Sequence, residues 1–156
     1  REDVPLDAVV ERCVRRIEPI VRAKDIQLSV DTSDRAMLRD VDPEKLERAI
    51  TNVLDNAAKF TPAGGEIAVR GWRENGALPA VTRFAVTNSG YPIPEDDLPR
   101  VFDRFFRGDR SRRTASGTGL GLAITRELVE LNRGSIAVAN TAQNSVTFTI
   151  SIPEPR

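Results

Sequence analysis

The stretch from Asp42 to Pro62, DPEKLERAITNVLDNAAKFTP, constrains the fold of this chain more than any other segment. It begins with an acidic residue and a proline, which is typical of a helix start, and it ends at a Thr-Pro pair that disfavours helical geometry. Apolar residues recur at helical spacing along it and form one stripe, namely Leu46, Ile50, Val53 and Ala57. The sequence therefore predicts a long amphipathic helix with one face in the core.

The same helix carries a second row of side chains, Asn52, Asn56 and Lys59, about 100° around its axis from the apolar stripe. No carboxylate lies in this row, whereas a solvated helix surface usually mixes acids and bases. Two interpretations are open at this point. The row is either an ordinary capping network with a surface lysine, or a site for an anion together with a metal ion.

Composition excludes several kinds of chemistry. The chain has 156 residues, a length typical of one domain, and its 23 basic and 23 acidic residues leave no net charge that would favour nucleic acid. The absence of histidine rules out serine–histidine catalysis, zinc–histidine sites and a phosphohistidine on this chain. One cysteine, Cys13, is too few for an internal disulfide. We therefore expect a single soluble, globular domain.

The rest of the chain alternates helix and strand patterns. A helical pattern runs from Pro5 to about Ala23, and Pro19 is expected to kink this helix or end it early. Period-two patterns predict strands at 26–30, more weakly at 37–41, and at 66–72, 80–87, 135–140 and 145–152, with a further helix at 123–131. Glu74-Asn75-Gly76 indicates a hairpin between two of these strands.

The segment after the strand at 80–87 has two possible interpretations. Phe84, Val86 and Asn88 would share one face of that strand, so that an amide follows directly on a core-facing row. Asn88-Ser89-Gly90 is also typical of a turn, which is the interpretation that the residues alone favour. Further on, Ile93-Pro94-Glu95 could open a short helix.

Two later segments have features of an anion site. The run 103–116 contains five arginines. Phe102 comes just before it, and Phe105 and Phe106 lie near its start. It is either a solvated basic loop held by phenylalanines or, less favoured by the neutral chain, an RNA contact. Gly117 to Leu122, GTGLGL, precedes a predicted helix whose free N–H groups would face an anion. This segment matches neither the dinucleotide fingerprint nor the P-loop.

Four motifs occur in a fixed order along the chain: Asn-x-x-x-Asn-Ala-x-Lys-Phe-Thr, Asn-x-Gly, Phe-x-x-Phe-Phe-Arg and Gly-x-Gly-Leu-Gly-Leu. Together they resemble the catalytic and ATP-binding domain of bacterial sensor histidine kinases, in the superfamily shared with gyrase, Hsp90 and MutL. The resemblance extends from about Pro5 to Pro153. It implies the Bergerat ATP-binding fold, an α/β two-layer sandwich with a mixed sheet of about five strands and three main helices on one face.

The resemblance also implies a role for each motif in binding ATP and Mg²⁺. Asn56 resembles the asparagine whose side-chain oxygen binds Mg²⁺, and Lys59 and Arg107 resemble cations that contact the phosphates during catalysis. The segment 107–116 would form the ATP lid. The remaining ATP-binding positions that the resemblance implies are Asn52, Phe60, Asn88, Gly90, Ile93, Phe106, Gly117, Thr118, Gly119, Leu120, Gly121 and Leu122.

Some positions depart from the family pattern. Asn88 stands where an aspartate usually accepts a hydrogen bond from the adenine amino group, Pro92 replaces a glycine, and Val146 replaces a hydroxyl side chain near adenine. Asn132-Arg133-Gly134 stands where His-Gly-Gly is common, a structural change at a helix end. Because the magnesium and phosphate elements are intact, we expect retuned nucleotide affinity. Asn52 occupies the position of the general base of gyrase and Hsp90, and this favours a kinase because an amide takes no proton at neutral pH.

The function implied by the resemblance is transfer of the ATP γ-phosphate to a histidine on a separate dimerisation and phosphoacceptor domain. Residues 1–156 would be one domain of a longer kinase, monomeric alone and homodimeric in the parent protein. The parent would be a cell-membrane sensor with this domain in the cytoplasm, and its further partner would be a response regulator. Two other interpretations stay open: a stand-alone serine kinase of the anti-sigma type, and a non-catalytic nucleotide-binding or protein-interaction module.

Overall fold

The structure, a computed structural model, describes residues 1–33, 35–76, 78–106, 121–141 and 144–156. Its α-helices are α1 (Leu6–Ala23), α2 (Pro43–Phe60) and α3 (Gly121–Glu130). Its strands are β1 (Glu2–Pro5), β2 (Gln27–Thr32), β3 (Met37–Val41), β4 (Glu66–Glu74), β5 (Val81–Ser89), β6 (Ser135–Thr141) and β7 (Ser145–Pro153). A short 3₁₀ turn covers Leu98–Arg100.

The main sheet has five strands in the order β2-β4-β5-β7-β6. β2 runs parallel to β4, and the other neighbours are antiparallel, so that the sheet is mixed as expected. β1 and β3 form a separate antiparallel pair beside it. The prediction of a mixed five-stranded sheet is confirmed.

The helices form a second layer on one face of the sheet. α2 lies in the middle of this layer, packed between α1 and α3 and against β5. Its apolar stripe meets the inward side chains of the strands in one continuous core, whose largest buried members include Leu46, Ile50, Leu54, Ile67, Phe148 and Ile150. The two-layer architecture with three helices is therefore confirmed. None of the helices within the described ranges is long and apolar enough to span a bilayer.

The ends of α2 follow the chemistry of its sequence. The carboxylate of Asp42 accepts a hydrogen bond from the backbone N–H of Lys45 at 3.2 Å, which satisfies one free donor of the first turn. At the other end, the buried hydroxyl of Thr61 donates to the carbonyl of Ala57 at 2.6 Å. Lys24 supplies a cation there, because its ammonium donates to the carbonyl of Ala58 at 2.8 Å.

The first helix begins one residue later than expected and does not end early at Pro19. Pro5 closes the strand β1, so that α1 begins at Leu6, and α1 then continues past Pro19 to Ala23. A proline inside a helix removes a hydrogen bond to the carbonyl four residues earlier, which here belongs to Arg15. Both residues are exposed, so the affected turn lies on the solvent side of α1, while the opposite face of the helix stays packed in the core.

The end of β5 and the segment after it differ from two interpretations of the sequence, a turn at Asn88-Ser89-Gly90 and a short helix that opens at Ile93. Asn88 and Ser89 are the last residues of β5 and pair with β7, so the strand interpretation is correct and the chain turns only at Gly90. No helix begins at Ile93, because the following Pro94 disfavours helical geometry at the residue before it.

Candidate functional site

The polar row of α2 contains a carbonyl oxygen with unmet bonding capacity. Asn52, Asn56 and Lys59 are all half-buried, and the side-chain oxygen of Asn56 is itself buried without a hydrogen-bond partner among the described residues. Leaving a buried polar atom unbonded costs about 1–3 kcal/mol, which makes this oxygen a candidate contact for a ligand. The hydroxyl of Thr51 on the same helix is unbonded as well within the described residues. Asn52 also borders an open groove whose lining carries both signs of charge, with Arg16 and Arg48 beside Glu44, Glu47 and Asp55.

A second orphaned oxygen lies at the end of β5. Asn88 is only 1% exposed, and its amide nitrogen donates to the carbonyl of Ser89 at 3.3 Å. With the amide in this orientation, its oxygen accepts no hydrogen bond within the described part of the chain. Asn88 pairs with Ile67 and Val146 on the inner face of the sheet, which is the face that α2 covers. The helix-covered face of the sheet therefore offers a hydrogen-bond acceptor.

The end of α2 and the end of β5 meet at Gly90. This residue has φ +133°, which a side chain would rarely adopt, and a Cβ built on it would lie 2.9 Å from Pro62 Cδ and 3.3 Å from the carbonyl oxygen of Phe60. Only glycine fits at this position. The contact brings the segment that follows Asn88 next to the end of the helix that carries Asn56 and Lys59.

The segment after Gly90 is fixed to the β6–β7 hairpin at two points. The backbone N–H of Gly90 donates to the carbonyl of Asn144 at 2.9 Å. The side-chain amide of Asn140 forms two bonds with Ile93: its oxygen accepts from the Ile93 N–H at 2.9 Å, and its nitrogen donates to the Ile93 carbonyl at 2.6 Å. Ile93 itself is 4% exposed and belongs to the core.

Phenylalanines anchor the chain just before the residues outside the described ranges. Phe102 packs edge-on against the buried Phe148 with ring centroids 6.2 Å apart. Phe106 also packs against the core, and the guanidinium of Arg100 lies 4.7 Å from its ring centroid. Phe105 is 70% exposed. Phe60, at the end of α2, lies beneath the Lys59 ammonium, which is 5.3 Å from its ring centroid.

Helix α3 is tied to α2 at one end. The backbone N–H of Asp42, at the start of α2, donates to the side-chain oxygen of Asn132 at 2.7 Å, and the Asn132 amide nitrogen donates to the carbonyl of Leu128. α3 spans ten residues, roughly 15 Å, and packs along α2. The free N–H groups of its first turn, at Gly121, would favour an anion.

The residues present suit magnesium bound together with a phosphate ligand. Among the described residues, no group of three or more His, Cys, Asp or Glu side chains could hold a metal ion. Mg²⁺ keeps water and phosphate oxygens as most of its ligands, so that one neutral amide oxygen, such as that of Asn56, suffices from the protein. Nearby, burial raises the pKa of the Asp55 carboxyl and lowers the pKa of the Lys24 ammonium.

The structure places ten of the residues implied by the resemblance. Asn52, Asn56, Lys59 and Phe60 lie on α2, Asn88, Gly90 and Ile93 lie at or after the end of β5, Phe106 lies on the phenylalanine-anchored segment, and Gly121 and Leu122 begin α3. Arg107 and the run Gly117 to Leu120 lie outside the described residues, as does the segment 107–116 expected to form the lid.

Sequence reasoning missed Asn140 and did not foresee the partners of Asn132. A signal for Asn140 was present, because Ile136, Val138 and Asn140 alternate on one face of β6 as Phe84, Val86 and Asn88 do on β5. The bonding partners of Asn140 and Asn132 lie 47 and 90 residues away along the chain. No local pattern indicates a contact over such separations.

The chain belongs to the family of histidine kinase-, DNA gyrase B- and HSP90-like ATPases, which matches residues 41–156. Among its relatives, the circadian input-output histidine kinase CikA of Synechococcus elongatus is 36% identical over 152 residues, and the sensor-like histidine kinase SenX3 of Mycolicibacterium smegmatis is 37% identical over 153 residues. These alignments cover 96% and 97% of this chain. The chain spans only 20% of the length of CikA and 38% of that of SenX3.

The solved structures agree with this assignment. The mycobacterial sensor histidine kinase MprB superposes with a TM-score of 0.84 at 32% identity, covering 99% of this chain and 100% of that one. The resemblance to the catalytic domain of sensor histidine kinases, inferred from four motifs, is confirmed. The fold of this chain is that of histidine kinase catalytic domains, and its family is one of ATP-binding proteins.

Proposed function

We propose that this chain is the ATP-binding part of a sensor histidine kinase and donates the γ-phosphate of ATP to a histidine on a separate dimerisation and phosphoacceptor domain. The observation that carries the proposal is the pair of unbonded amide oxygens of Asn56 and Asn88, in a chain that belongs to a family of ATPases. Asn56 lies on α2 and Asn88 on β5, and these two elements pack against each other. Each oxygen matches one end of ATP–Mg²⁺, the metal and the base.

The base would be held at the end of β5. The orphaned oxygen of Asn88 would accept a hydrogen bond from the adenine amino group, while its nitrogen keeps the bond to Ser89. Gly90, Ile93, Phe60 and Phe106 would surround the nucleotide. Because Asn88 is neutral, the bond to adenine lacks the strength of one to a carboxylate.

The phosphates would be held along α2 and at the start of α3. Asn56 would ligate Mg²⁺, which when bound neutralises charge on the phosphate oxygens. Asn52 would contact the phosphates, and Lys59 and Arg107 would act as cations that stabilise the charge of the transferring group. The backbone of Gly117, Thr118, Gly119, Leu120, Gly121 and Leu122 would donate N–H groups to the phosphates.

In the transfer step, a neutral imidazole nitrogen of the acceptor histidine attacks the γ-phosphorus. A nitrogen–phosphorus bond forms, the bond from phosphorus to the β–γ bridging oxygen breaks, ADP leaves, and the imidazole gives up its proton. The attacking nitrogen already has a lone pair, so that no general base is needed at the position of Asn52, an amide that takes no proton. Positioning and charge stabilisation by the protein carry the step.

The wider setting follows from this role. The parent protein would be a homodimeric cell-membrane sensor that holds this domain in the cytoplasm, and the phosphohistidine would pass its phosphate to a response regulator. The isolated domain would be monomeric, and the site would be selective for ATP together with Mg²⁺.

The test is phosphotransfer in trans. This chain is mixed with radiolabelled ATP, Mg²⁺ and the phosphoacceptor domain of its parent kinase, and we expect label on the acceptor that is stable in alkali and lost in acid, as for phosphohistidine. Asn56→Ala should lower the rate by about 100-fold, the scale for loss of a metal contact or of an electrostatic contact to the transition state. Asn75→Ala, in an exposed turn, is the control that should leave it unchanged.

Two outcomes would contradict the proposal. Label that resists acid and is lost in alkali would indicate a serine kinase of the anti-sigma type. Saturable ATP binding with no transfer to the cognate acceptor would indicate a non-catalytic nucleotide-binding module.

A further inference from the structure

We infer that Asn140 is a positioning residue that sets the affinity for the nucleotide base by holding the segment after Asn88 in place. The inference rests on the proposed function, because it concerns the same site. Asn140 lies on β6, two strands away from β5, and belongs to none of the four motifs that indicate ATP binding.

The register of the sheet places Asn140 on the level of the base site. Asn140 pairs with Val146, and Val146 pairs with Asn88, so the three side chains form one row across β6, β7 and β5 on the inner face. Neighbouring strands lie about 4.8 Å apart, which puts the backbones at Asn140 and Asn88 roughly 10 Å from each other. The side-chain oxygen of Asn88 has no partner among the described residues, whereas both ends of the Asn140 amide bond to Ile93.

The two bonds between Asn140 and Ile93 leave only one arrangement of the side chain. The backbone N–H of Ile93 can only donate and its carbonyl can only accept, so the amide must point its oxygen to the former and its nitrogen to the latter. With distances of 2.9 Å and 2.6 Å, this contact replaces the strand pairing that the segment after β5 lacks. It fixes both polar backbone groups of a residue that is 4% exposed.

The segment from Gly90 to Ile93 has little other regular support. It contains Pro92, is followed by Pro94, and forms no strand or helix. Besides Asn140, it is held by the bond from Gly90 to Asn144, by the packing of Gly90 against Pro62 and by the side chain of Ile93 in the core, but among these only Asn140 bonds the backbone of Ile93. Without Asn140, the Ile93 end would sample other positions. A binding site that is competent for a fraction of the time has its apparent affinity reduced by that fraction.

The experiment compares nucleotide binding by the wild type, Asn140→Ala and Asn140→Asp, with Thr141→Ala as the matched control. Thr141 is the exposed neighbour of Asn140 on the same strand, and its side chain faces away from the site. The probes are adenosine, a non-hydrolysable ATP analogue with Mg²⁺, and Mg²⁺–tripolyphosphate, which lacks the base. Thermal unfolding of each variant is recorded in parallel.

Asn140→Ala should raise the Kd for adenosine and for the ATP analogue by about tenfold, which corresponds to a segment competent for about a tenth of the time. The Kd for Mg²⁺–tripolyphosphate should stay unchanged, because Asn140 does not act on the phosphate end. Amide hydrogen exchange at Ile93 should accelerate. In the parent kinase, KM for ATP should rise while kcat at saturating ATP stays the same.

The affinity of Asn140→Asp for adenosine, measured as a function of pH, distinguishes a positioning role of Asn140 from a general effect on stability. The ionised carboxylate can accept from the Ile93 N–H but repels the Ile93 carbonyl, and on protonation its O–H can donate to that carbonyl again. Its affinity for adenosine, relative to that of the wild type, should therefore recover as the pH falls. Thr141→Ala should bind all three probes as the wild type does.

The outcomes distinguish this inference from the proposed function. Equal binding of adenosine by the wild type and Asn140→Ala, with or without a lower Tm for the variant, would overturn the role of Asn140 and leave the proposed function standing. A parallel loss of tripolyphosphate binding would also overturn it, because the effect would then not be confined to the base. Failure of the folded wild type to bind the ATP analogue would overturn both.

Discussion

At the scale of single residues, the buried asparagines of this chain divide into two kinds. Asn132 is fully buried and uses both ends of its amide, accepting from the N–H of Asp42 and donating to the carbonyl of Leu128. Asn88 is 1% exposed and leaves its oxygen unbonded within the described residues. The first kind stabilises the fold, whereas the unbonded oxygen of the second lowers its stability.

Replacing each of these asparagines by leucine, which has a similar volume, should therefore have opposite effects on stability. Asn88→Leu removes an unbonded buried oxygen and should raise the free energy of unfolding by about 1 kcal/mol, whereas Asn132→Leu leaves a donor and an acceptor unbonded and should lower it by about 2 kcal/mol or more. Urea unfolding of both variants measures the difference. A stability of Asn88→Leu well below that of the wild type would show that the oxygen of Asn88 is satisfied without a ligand.

The unbonded oxygen of Asn88 also leads to a prediction about nucleotide binding. Asn88→Leu should lose at least about tenfold in affinity for an adenine nucleotide, since a polar contact to the base disappears. Gain of stability with loss of binding is the behaviour expected of a residue that serves a site at the expense of the fold.

At the scale of elements, α2 is the part of the chain that joins fold and site. One face carries the core residues Leu46 and Ile50, and the adjoining face carries the polar row with Asn56. Its first turn is held by Asp42, which both caps the helix and receives α3 through Asn132. The start of α2 is therefore a point of contact between the helix that carries the polar row and α3.

The cap of α2 makes its contribution to stability dependent on pH. The hydrogen bond from the Lys45 N–H, with help from the Lys45 ammonium, holds the pKa of the Asp42 carboxyl below its ordinary value. A lowered pKa means that the stabilisation is present above the ordinary aspartate pKa and is lost as the pH falls through the lowered one. Asn caps a helix without ionising. The stability advantage of the wild type over Asp42→Asn, followed by urea unfolding, should therefore shrink in acid, and an advantage that is constant with pH would contradict this account.

The elements that sequence could predict are those whose determinants are local. α2 was predicted at 42–62 and observed at Pro43–Phe60, because its cap, its apolar period and its final Thr-Pro all lie within it. β1 was not predicted, since Glu2–Pro5 contains one strand-forming residue, Val4, and owes its conformation to pairing with β3. Pro19 does not end α1, because the residues of that turn that pack in the core, such as Ile17 and Val21, keep the helix in place on both sides of it.

For the candidate site, the motifs predicted which residues take part but not which of their side-chain atoms are hydrogen-bonded. The pattern placed Asn88 at a strand end, yet only the structure shows that its oxygen is unbonded while its nitrogen is engaged. Asn140 and Asn132 act through partners far along the chain, so that their contacts depend on the completed sheet and helix layer. The roles assigned to single residues in ATP binding stay predictions.

At the scale of the whole molecule, both layers share one core. Residues of α1, such as Ile17, belong to the same buried cluster as those of α2 and of the central strands. The cluster leaves no boundary at which one layer could separate without exposing the other. We therefore expect the described elements to unfold as a single cooperative unit.

This cooperativity can be measured with two probes that report on different layers. The one tryptophan, Trp72, lies on β4 beneath the Arg70 guanidinium and reports on the sheet, while far-UV circular dichroism reports mainly on the helices. The two unfolding curves should coincide for the wild type. They should still coincide for Ile17→Ala, which removes a buried side chain of α1 and should cost about 3 kcal/mol. Separate midpoints for the two probes would contradict a single core.

The measurement that tests the central claim most directly is calorimetric titration of this chain with a non-hydrolysable ATP analogue, with and without Mg²⁺, beside Asn56→Ala. The account predicts saturable binding that Mg²⁺ strengthens, and a loss of about 10- to 100-fold in Asn56→Ala with Mg²⁺ present, since its orphaned oxygen would be the protein's contact to the metal. Without Mg²⁺ the two proteins should bind alike. Absence of saturable binding by folded protein at millimolar analogue, or an Mg²⁺ effect that survives in Asn56→Ala, would contradict the account.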